Sequence, residues 1–220
     1  MNLAIVMQKP MNNAKTRLKH WLSSFERISL VHSMLFEVCN TLSKVPSIDR
    51  IGIVTSDPTA VKVANQFGAH VFYEREPRGM NAAIKFVVDQ LPREVNKLLI
   101  FPADIPLISI RELSIIIRLA AETPVTIIPC RNGTGTNGLI LSPPDIISTA
   151  FGVNSMVRHC MNAQKAGVNY SIIQNSSLAY DIDTVEDLLL LKTLGEGTKT
   201  KDFLENNHIF EKILPRKMNL

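Results

Sequence analysis

The sequence predicts an α/β protein built on a mostly parallel sheet with helices on both faces. Strand-like apolar runs alternate with helix-periodic segments through the first half. Helix starts carry the reciprocal capping signatures Ser23-x-x-Glu26 and Thr184-x-x-Asp187. Of 220 residues, 45% are hydrophobic and 20% charged, enough to bury a real core in a chain the size of one domain.

Residues 3–7, Leu-Ala-Ile-Val-Met, read as a buried central strand. After the Ser23/Glu26 box, Ile28, Val31, Leu35, Val38 and Leu42 follow helical spacing. Residues 50–55 are a second strand and 58–67 a helix, opened by Pro58 and closed by Gly68. A short third strand at 71–73 and a helix at 81–91 lead to a fourth strand at 97–101, which runs into Pro102-Ala103-Asp104-Ile105-Pro106. The second half is less regular: helix 111–121, strands 125–129 and 138–141, helix 155–166, strand 170–174, and a helix opened by Thr184 that runs through 194. The tail, 195–220, is mixed in charge and weakly periodic. It reads as a C-terminal arm on the main body or on a partner, and so as a candidate homodimer contact. With no repeat and no Gly-, Ser- or Pro-rich linker, residues 1–220 form a single domain.

No apolar run approaches the length of a membrane span, and residues 1–20 lack the features of a secretory signal. Cys39, Cys130 and Cys160 are odd in number and form no CxxC pair, so they are expected as small buried hydrophobes in a reducing, cytoplasmic setting. Lys9, Lys15, Arg17 and Lys19 fall within the first twenty residues, which hold no acid, and account for the whole net charge of +4. A short cation cluster on one loop suits phosphate groups rather than a nucleic-acid track, which needs a broader basic face. A solvated basic turn is the plainer alternative.

Gly133-Thr134-Gly135-Thr136-Asn137-Gly138 matches the G-x-G-x-x-G dinucleotide fingerprint, but that fingerprint must open a helix. Here Leu139-Ile140-Leu141 and Pro143-Pro144 follow, which argues against a dehydrogenase. The loop is either an anion nest or a tight hairpin. The basic loop has no Walker spacing, so P-loop chemistry is excluded too.

Ligands of open parallel sheets bind beyond the C-terminal ends of the strands. That rule gathers residues 8–17, 74–81, 102–106 and the glycine loop at one edge. Lys9, Lys15 and Arg17 there can reach a triphosphate. Asp104, at a strand tip, suits Mg²⁺ bridging phosphate oxygens, or else caps a turn. Asp181 and Asp183 form a second acidic pair, either of which can complete a metal site, although Asp183 can equally cap its turn. Gly79 permits close backbone approach, and Asn81 both donates and accepts, as reading a base edge requires, or caps its helix. Gly152 and Ser155 open a helix as an anion site or a plain Ser cap. His159 reads as structural, and no Ser-His-Asp or Cys-His constellation is present.

Lys9 with Ala14-Lys15-Thr16-Arg17-Leu18, then Gly79-Met80-Asn81-Ala82-Ala83, Ala103-Asp104-Ile105-Pro106-Leu107, residues 133–137 and Asp181-Ile182-Asp183-Thr184 fall in the order found in the CofC/FbiD guanylyltransferases, which the chain resembles over nearly its whole length. The resemblance implies a Rossmann-like nucleotidyltransferase fold (GT-A-like): a three-layer sandwich with a mostly parallel mixed sheet. It implies Mg²⁺-dependent transfer of GMP from GTP to a phosphorylated three-carbon acid in coenzyme F(420) biosynthesis, with release of pyrophosphate. The acid is 2-phospho-L-lactate, phosphoenolpyruvate or 3-phospho-D-glycerate. It further implies catalysis by Lys15, Arg17 and Asp104, and nucleotide binding by Lys9, Lys15, Arg17, Gly79 and Asn81. Thr136, Asn137, Gly152 and Ser155 would hold the acceptor, and Asp104 and Asp183 the metal. Pro102 departs from the pattern, so no two-aspartate DxD motif is assigned. The rivals are a relative acting on a sugar phosphate or molybdopterin, whose first loop is usually glycine-rich, and a non-catalytic nucleotide-binding protein, in which the metal carboxylates would be lost.

Overall fold

The computed structural model describes residues 1–217; the last three residues of the expected arm, 218–220, lie outside the described residues. In chain order the elements are β1 (Asn2–Met7), α1 (Ser24–Leu42), β2 (Arg50–Thr55), α2 (Pro58–Gln66), β3 (His70–Tyr73) and α3 (Met80–Val88). Then come β4 (Lys97–Pro102), α4 (Ile110–Leu119), β5 (Val125–Pro129), β6 (Thr136–Leu141), α5 (Ser155–Lys165) and β7 (Tyr170–Ile172). Three helices close the described chain: α6 (Val185–Leu194), α7 (Lys199–Asn206) and α8 (Ile209–Lys217).

The seven strands form one sheet in the order β3-β2-β1-β4-β6-β5-β7, and only β6 runs against its neighbours. β1 shows why the sheet sits inside. Leu3 and Ile5 pack with α3 and α5 on one face, Ala4 and Val6 with α1, α2, α4, α6, α7 and α8 on the other. A strand covered on both faces must be apolar throughout, which is why it reads as a continuous run rather than an alternation. The result is the expected three-layer sandwich with a mostly parallel mixed sheet.

Both capping boxes form: Ser23 accepts from the Glu26 N–H while Glu26 accepts from the Ser23 N–H, and Thr184 and Asp187 repeat the exchange. Several boundaries move. The helix expected at 81–91 stops at Val88, and β7 stops at Ile172 rather than 174. β6 starts at Thr136, two residues early, because Pro129 pairs with Thr136 across the hairpin. Of the cysteines, only Cys39 is buried, its thiol pushed up to about 12 by burial; Cys130 and Cys160 are partly exposed, because they sit at a hairpin and on a helix flank rather than under a helix.

The expected arm packs on the chain's own body. Thr198 caps α7, and Thr200, Leu204, Ile209, Phe210 and Ile213 are buried, the four apolar ones in the core shared with α1. The Lys199 N–H donates to Glu37 at 2.7 Å, and Lys212 pairs with Glu26 at 2.7 Å. Among the described residues no helix is long and apolar enough to cross a membrane. Because Leu204 is fully buried, Leu204→Ala should cost about 2–5 kcal/mol in urea unfolding. A loss below about 0.5 kcal/mol, the range of surface substitutions, would show the arm to be peripheral.

Candidate active site

β1 lies between β2 and β4, and the connections leave it in opposite directions: α1 and α2 cross one face toward β2 and β3, while α3 crosses the other face back to β4. This reversal opens a crevice beyond the C-terminal ends of β1 and β4. A cavity of about 540 Å³ occupies it, lined from residues 7–16, 74–83 and 102–104, with Asp183. The β5–β6 hairpin brings the glycine loop to the same edge of the sheet, outside this lining.

The basic loop folds as two 3-10 turns, Met11–Asn13 and Thr16–Leu18, anchored by buried Met11 and Leu18 and by a 2.6 Å hydrogen bond from the Met11 N–H to Asp57. Lys15 joins the turns in the left-handed region, at φ +53°. Only glycine and a few polar residues adopt that region without strain, so the surrounding contacts hold Lys15 there. Its side chain is 6% exposed, and Nζ donates to Asp104 Oδ2 at 2.6 Å and to Asp183 Oδ1 at 2.7 Å. Burial disfavours the ammonium, yet Asp104 and Asp183 outweigh it and hold the Lys15 pKa above its ordinary value. Burial likewise opposes the Asp183 carboxylate, and Lys15, Arg17 and Lys9 overcome it, so Asp183 lies below its ordinary value. Arg17 stands 3.6 Å from Asp183 with its side chain 72% exposed, free to extend toward a ligand.

Backbone and side-chain contacts fix the two acids against each other. The Ile182 N–H donates to the Asp104 carbonyl at 3.0 Å. Buried Asp187 accepts from the N–H groups of Asp183 and Thr184 and from Arg131 of the glycine hairpin. Asp181 plays a different part. Burial raises its pKa against the opposing hydrogen bond from Asn137, with the negative charges of Asp104 and Asp183 adding to the rise. Of the two acids, either of which is expected to complete a metal site, Asp183 meets the cation and Asp181 is tied to β6.

Gly79 precedes α3 at φ +93° and lines the cavity. A side chain is strained at that angle, so glycine lets the backbone enter the site. Asn81 is placed otherwise than its residue type suggested. Its Nδ2 donates to the Phe151 carbonyl and its Oδ1 accepts from the Phe151 N–H, so the edge expected to read a base is engaged. The glycine loop is a hairpin closed by the Cys130 N–H on the Gly135 carbonyl. The Met156 N–H donates to the Thr134 carbonyl, which joins this hairpin to the turn through Gly152 and Ser155. Thr136, Asn137 and Ser155 are buried at that junction. His159 Nε2 accepts from the Ala150 N–H, so the ring proton sits on Nδ1 and is donated to Thr136 Oγ1 at 3.1 Å. Burial, helped by Arg158, pushes His159 down to about 4, leaving it a neutral structural link. Sequence reasoning passed over Gln8 and Glu74, which line the cavity. Their signal was position: each directly follows a parallel strand.

The family described as "Guanylyl transferase CofC like" matches residues 2–213. A 2-phospho-L-lactate guanylyltransferase of Methanothermobacter thermautotrophicus is 33% identical over 201 residues, covering 91% of this chain and 88% of that protein. A phosphoenolpyruvate guanylyltransferase of Conexibacter woesei is 32% identical over 194 residues, 87% of each chain. The crystal structure of 4-diphosphocytidyl-2C-methyl-D-erythritol synthase from Anaerococcus prevotii superimposes with a TM-score of 0.62 at 11% identity, over 93% of this chain and 96% of that one.

Removing the Lys15 ammonium leaves two carboxylates facing each other, so Lys15→Met should destabilise the fold by about 1–3 kcal/mol at neutral pH, the partial exposure of both acids limiting the loss. The raised Lys15 pKa gives stability present below the ordinary lysine value and lost as pH rises through the folded one. The lowered Asp183 pKa gives stability present above the ordinary aspartate value and lost as pH falls through the folded one. The penalty should therefore be full at pH 7 and shrink at about pH 3, below the ordinary carboxylate range. Equal penalties in urea unfolding at both pH values would contradict the ion triad.

Proposed function

Because the chain belongs to the CofC-like guanylyltransferase family, we propose that this nucleotidyltransferase moves GMP from GTP onto the phosphate of a small three-carbon acid, releasing pyrophosphate, in coenzyme F(420) biosynthesis. The observation that carries the reading is the convergence of Asp104 and Asp183, both within 2.7 Å of one cationic atom, on a cavity rimmed by Lys9 and Lys15.

The same convergence fits Mg²⁺. Two hard carboxylate oxygens meet at one point, and among the described residues no cluster of three or more His, Cys, Asp or Glu would encase an ion. Mg²⁺ characteristically takes one or two carboxylates and fills its octahedron with substrate oxygens and water. Asp104 and Asp183 would hold it, and when bound it neutralises and aligns the triphosphate oxygens. Lys15, beside both carboxylates, would meet a phosphate oxygen of the bound triphosphate, and Lys9 and Arg17 would hold the triphosphate from the loop. The glycine hairpin and the turn through Gly152 and Ser155, with Thr136 and Asn137 beneath them, hold the acceptor.

An oxygen of the acceptor phosphate attacks the α-phosphorus, the bond to the bridging oxygen of pyrophosphate breaks, and that oxygen leaves with the electron pair. The acceptor is already anionic at neutral pH and needs no general base. That agrees with a site whose nearest buried histidine, His159, is neutral and committed to Thr136. Positioning and charge neutralisation supply the rate.

Pyrophosphate release should require GTP together with one of 2-phospho-L-lactate, phosphoenolpyruvate or 3-phospho-D-glycerate. Asp104→Asn should lower kcat at least about 100-fold while the chain still folds cooperatively, as losing one group that stabilises the transition state does. Lys15→Ala should weaken triphosphate binding, and the remaining affinity should depend less on salt. Release that needs a sugar phosphate, or near-normal turnover by Asp104→Asn, would overturn the reading.

A further inference from the structure

The cations and carboxylates crowd the end of the cavity over β1 and β4. Its other end, over β1 to β3, holds polar atoms that find no partner among the described residues. Gln8 and Glu74 extend the parallel ladder by one residue: the Gln8 N–H donates to the Val54 carbonyl at 3.0 Å, and the Glu74 N–H to the Thr55 carbonyl at 2.9 Å. Both residues line the cavity. Gln8 is 6% exposed, and its Nε2 donates to the Lys9 carbonyl. A carbonyl can only accept, so the amide orientation is fixed and Oε1 is the atom left over. Oε1 is buried without a hydrogen-bond partner. The half-buried Glu74 carboxylate makes no hydrogen bond or ion pair among the described residues, and burial alone raises its pKa. An unmatched buried acceptor costs free energy, and an unpaired, half-buried carboxylate beside it on one ligand cavity favours donors on the ligand.

We propose that Gln8 and Glu74 read the nucleobase and select guanine. The inference rests on the nucleotidyltransferase reading and adds the specificity of its pocket. Guanine alone among the common bases presents adjacent donors, N1–H and the N2 amino group. A carboxylate matches such a pair side by side, as it matches a guanidinium. Adenine offers one amino donor beside the N1 lone pair, and cytosine one beside N3, so each would set a lone pair against these acceptors. The start of α3 completes the match. It carries no side-chain cap, and Gly79 and Met80 line the same cavity, so the uncapped first-turn N–H groups are available to an acceptor such as the guanine O6. Val54, Pro77 and Ala83 supply apolar wall for the ring. Asn81, the residue whose type best suits a base edge, is engaged by Phe151 and leaves this task to the other two.

The test is calorimetric titration of the full chain with GTP, ITP, ATP and inorganic tripolyphosphate. ITP keeps N1–H and lacks the amino group, and tripolyphosphate lacks a base altogether. The wild-type chain should bind GTP about 10- to 100-fold more tightly than ITP or ATP, the size expected for unmatched hydrogen bonds to a buried site. Glu74→Gln replaces one acceptor with a donor at constant shape. It should bring GTP within about threefold of ITP and ATP, and Gln8→Met should narrow the gap between GTP and ITP. Tripolyphosphate should bind all three chains alike, which damage to the fold would not allow. Equal binding of GTP, ITP and ATP by the wild type, or an unchanged ranking in both variants, would overturn base selection while leaving the phosphate site standing. Failure of the wild type to bind any triphosphate or tripolyphosphate would remove the nucleotidyltransferase reading and this inference together.

Discussion

The Lys15 ammonium, set between Asp104 and Asp183, joins three segments that are 89 and 168 residues apart in the chain. Every surrounding feature serves that convergence. The left-handed backbone at Lys15, the Asp57 anchor on the basic loop, the Ile182–Asp104 hydrogen bond and the Asp187 cap each remove a freedom that would let one of the three charges drift. Two carboxylates held this close repel unless a cation lies between them, and the site supplies its own. The cost of collecting like charges is thus met by folding, before any substrate arrives.

A shared architecture does not by itself set the chemistry. The Anaerococcus prevotii synthase has the same fold at 11% identity, so the sheet is a common platform and the loops at its edge carry the difference. The first loop is the clearest instance. Residues 8–17 contain no glycine, and the sharp reversal that glycine would make without strain falls on Lys15 itself, the residue that meets the carboxylates. The strain and the charge lie on one residue, so the loop has little freedom to take another shape.

Much of the fold was legible because its signals are local. Parallel strands buried on both faces read as apolar runs, and both capping boxes sit where their residue types demand. α7 and α8 were obscured because each buries only a narrow stripe under a mixed-charge surface, and what decides their packing lies across the chain in Glu26 and Glu37. At the site, Lys15, Asp104 and Asp183 could be found from strand ends and residue type. The tasks of Asn81 and Asp181 could not, since their hydrogen-bond partners, Phe151 and Asn137, are 70 and 44 residues away. Gln8 and Glu74 went unnoticed because their type is ordinary: position just past a strand end was their one signal, and the unmatched Gln8 Oε1 and unpaired Glu74 carboxylate show only in the folded chain.

The turn that carries Gly152 is fastened on two sides. Phe151 is clasped through both main-chain groups by Asn81 at the start of α3, and Met156 is hydrogen-bonded to the glycine hairpin. On the proposed reading, the nucleotide pocket and the acceptor cradle therefore share a hydrogen-bonded wall, which ties the spacing between them to the scaffold. Such a wall limits how the protein can evolve. If the turn holds the acceptor as proposed, a substitution that reshapes it to admit a larger acid would shift α3 as well, so a new acceptor would be reached at the expense of the grip on the nucleotide unless both sides of the wall change together.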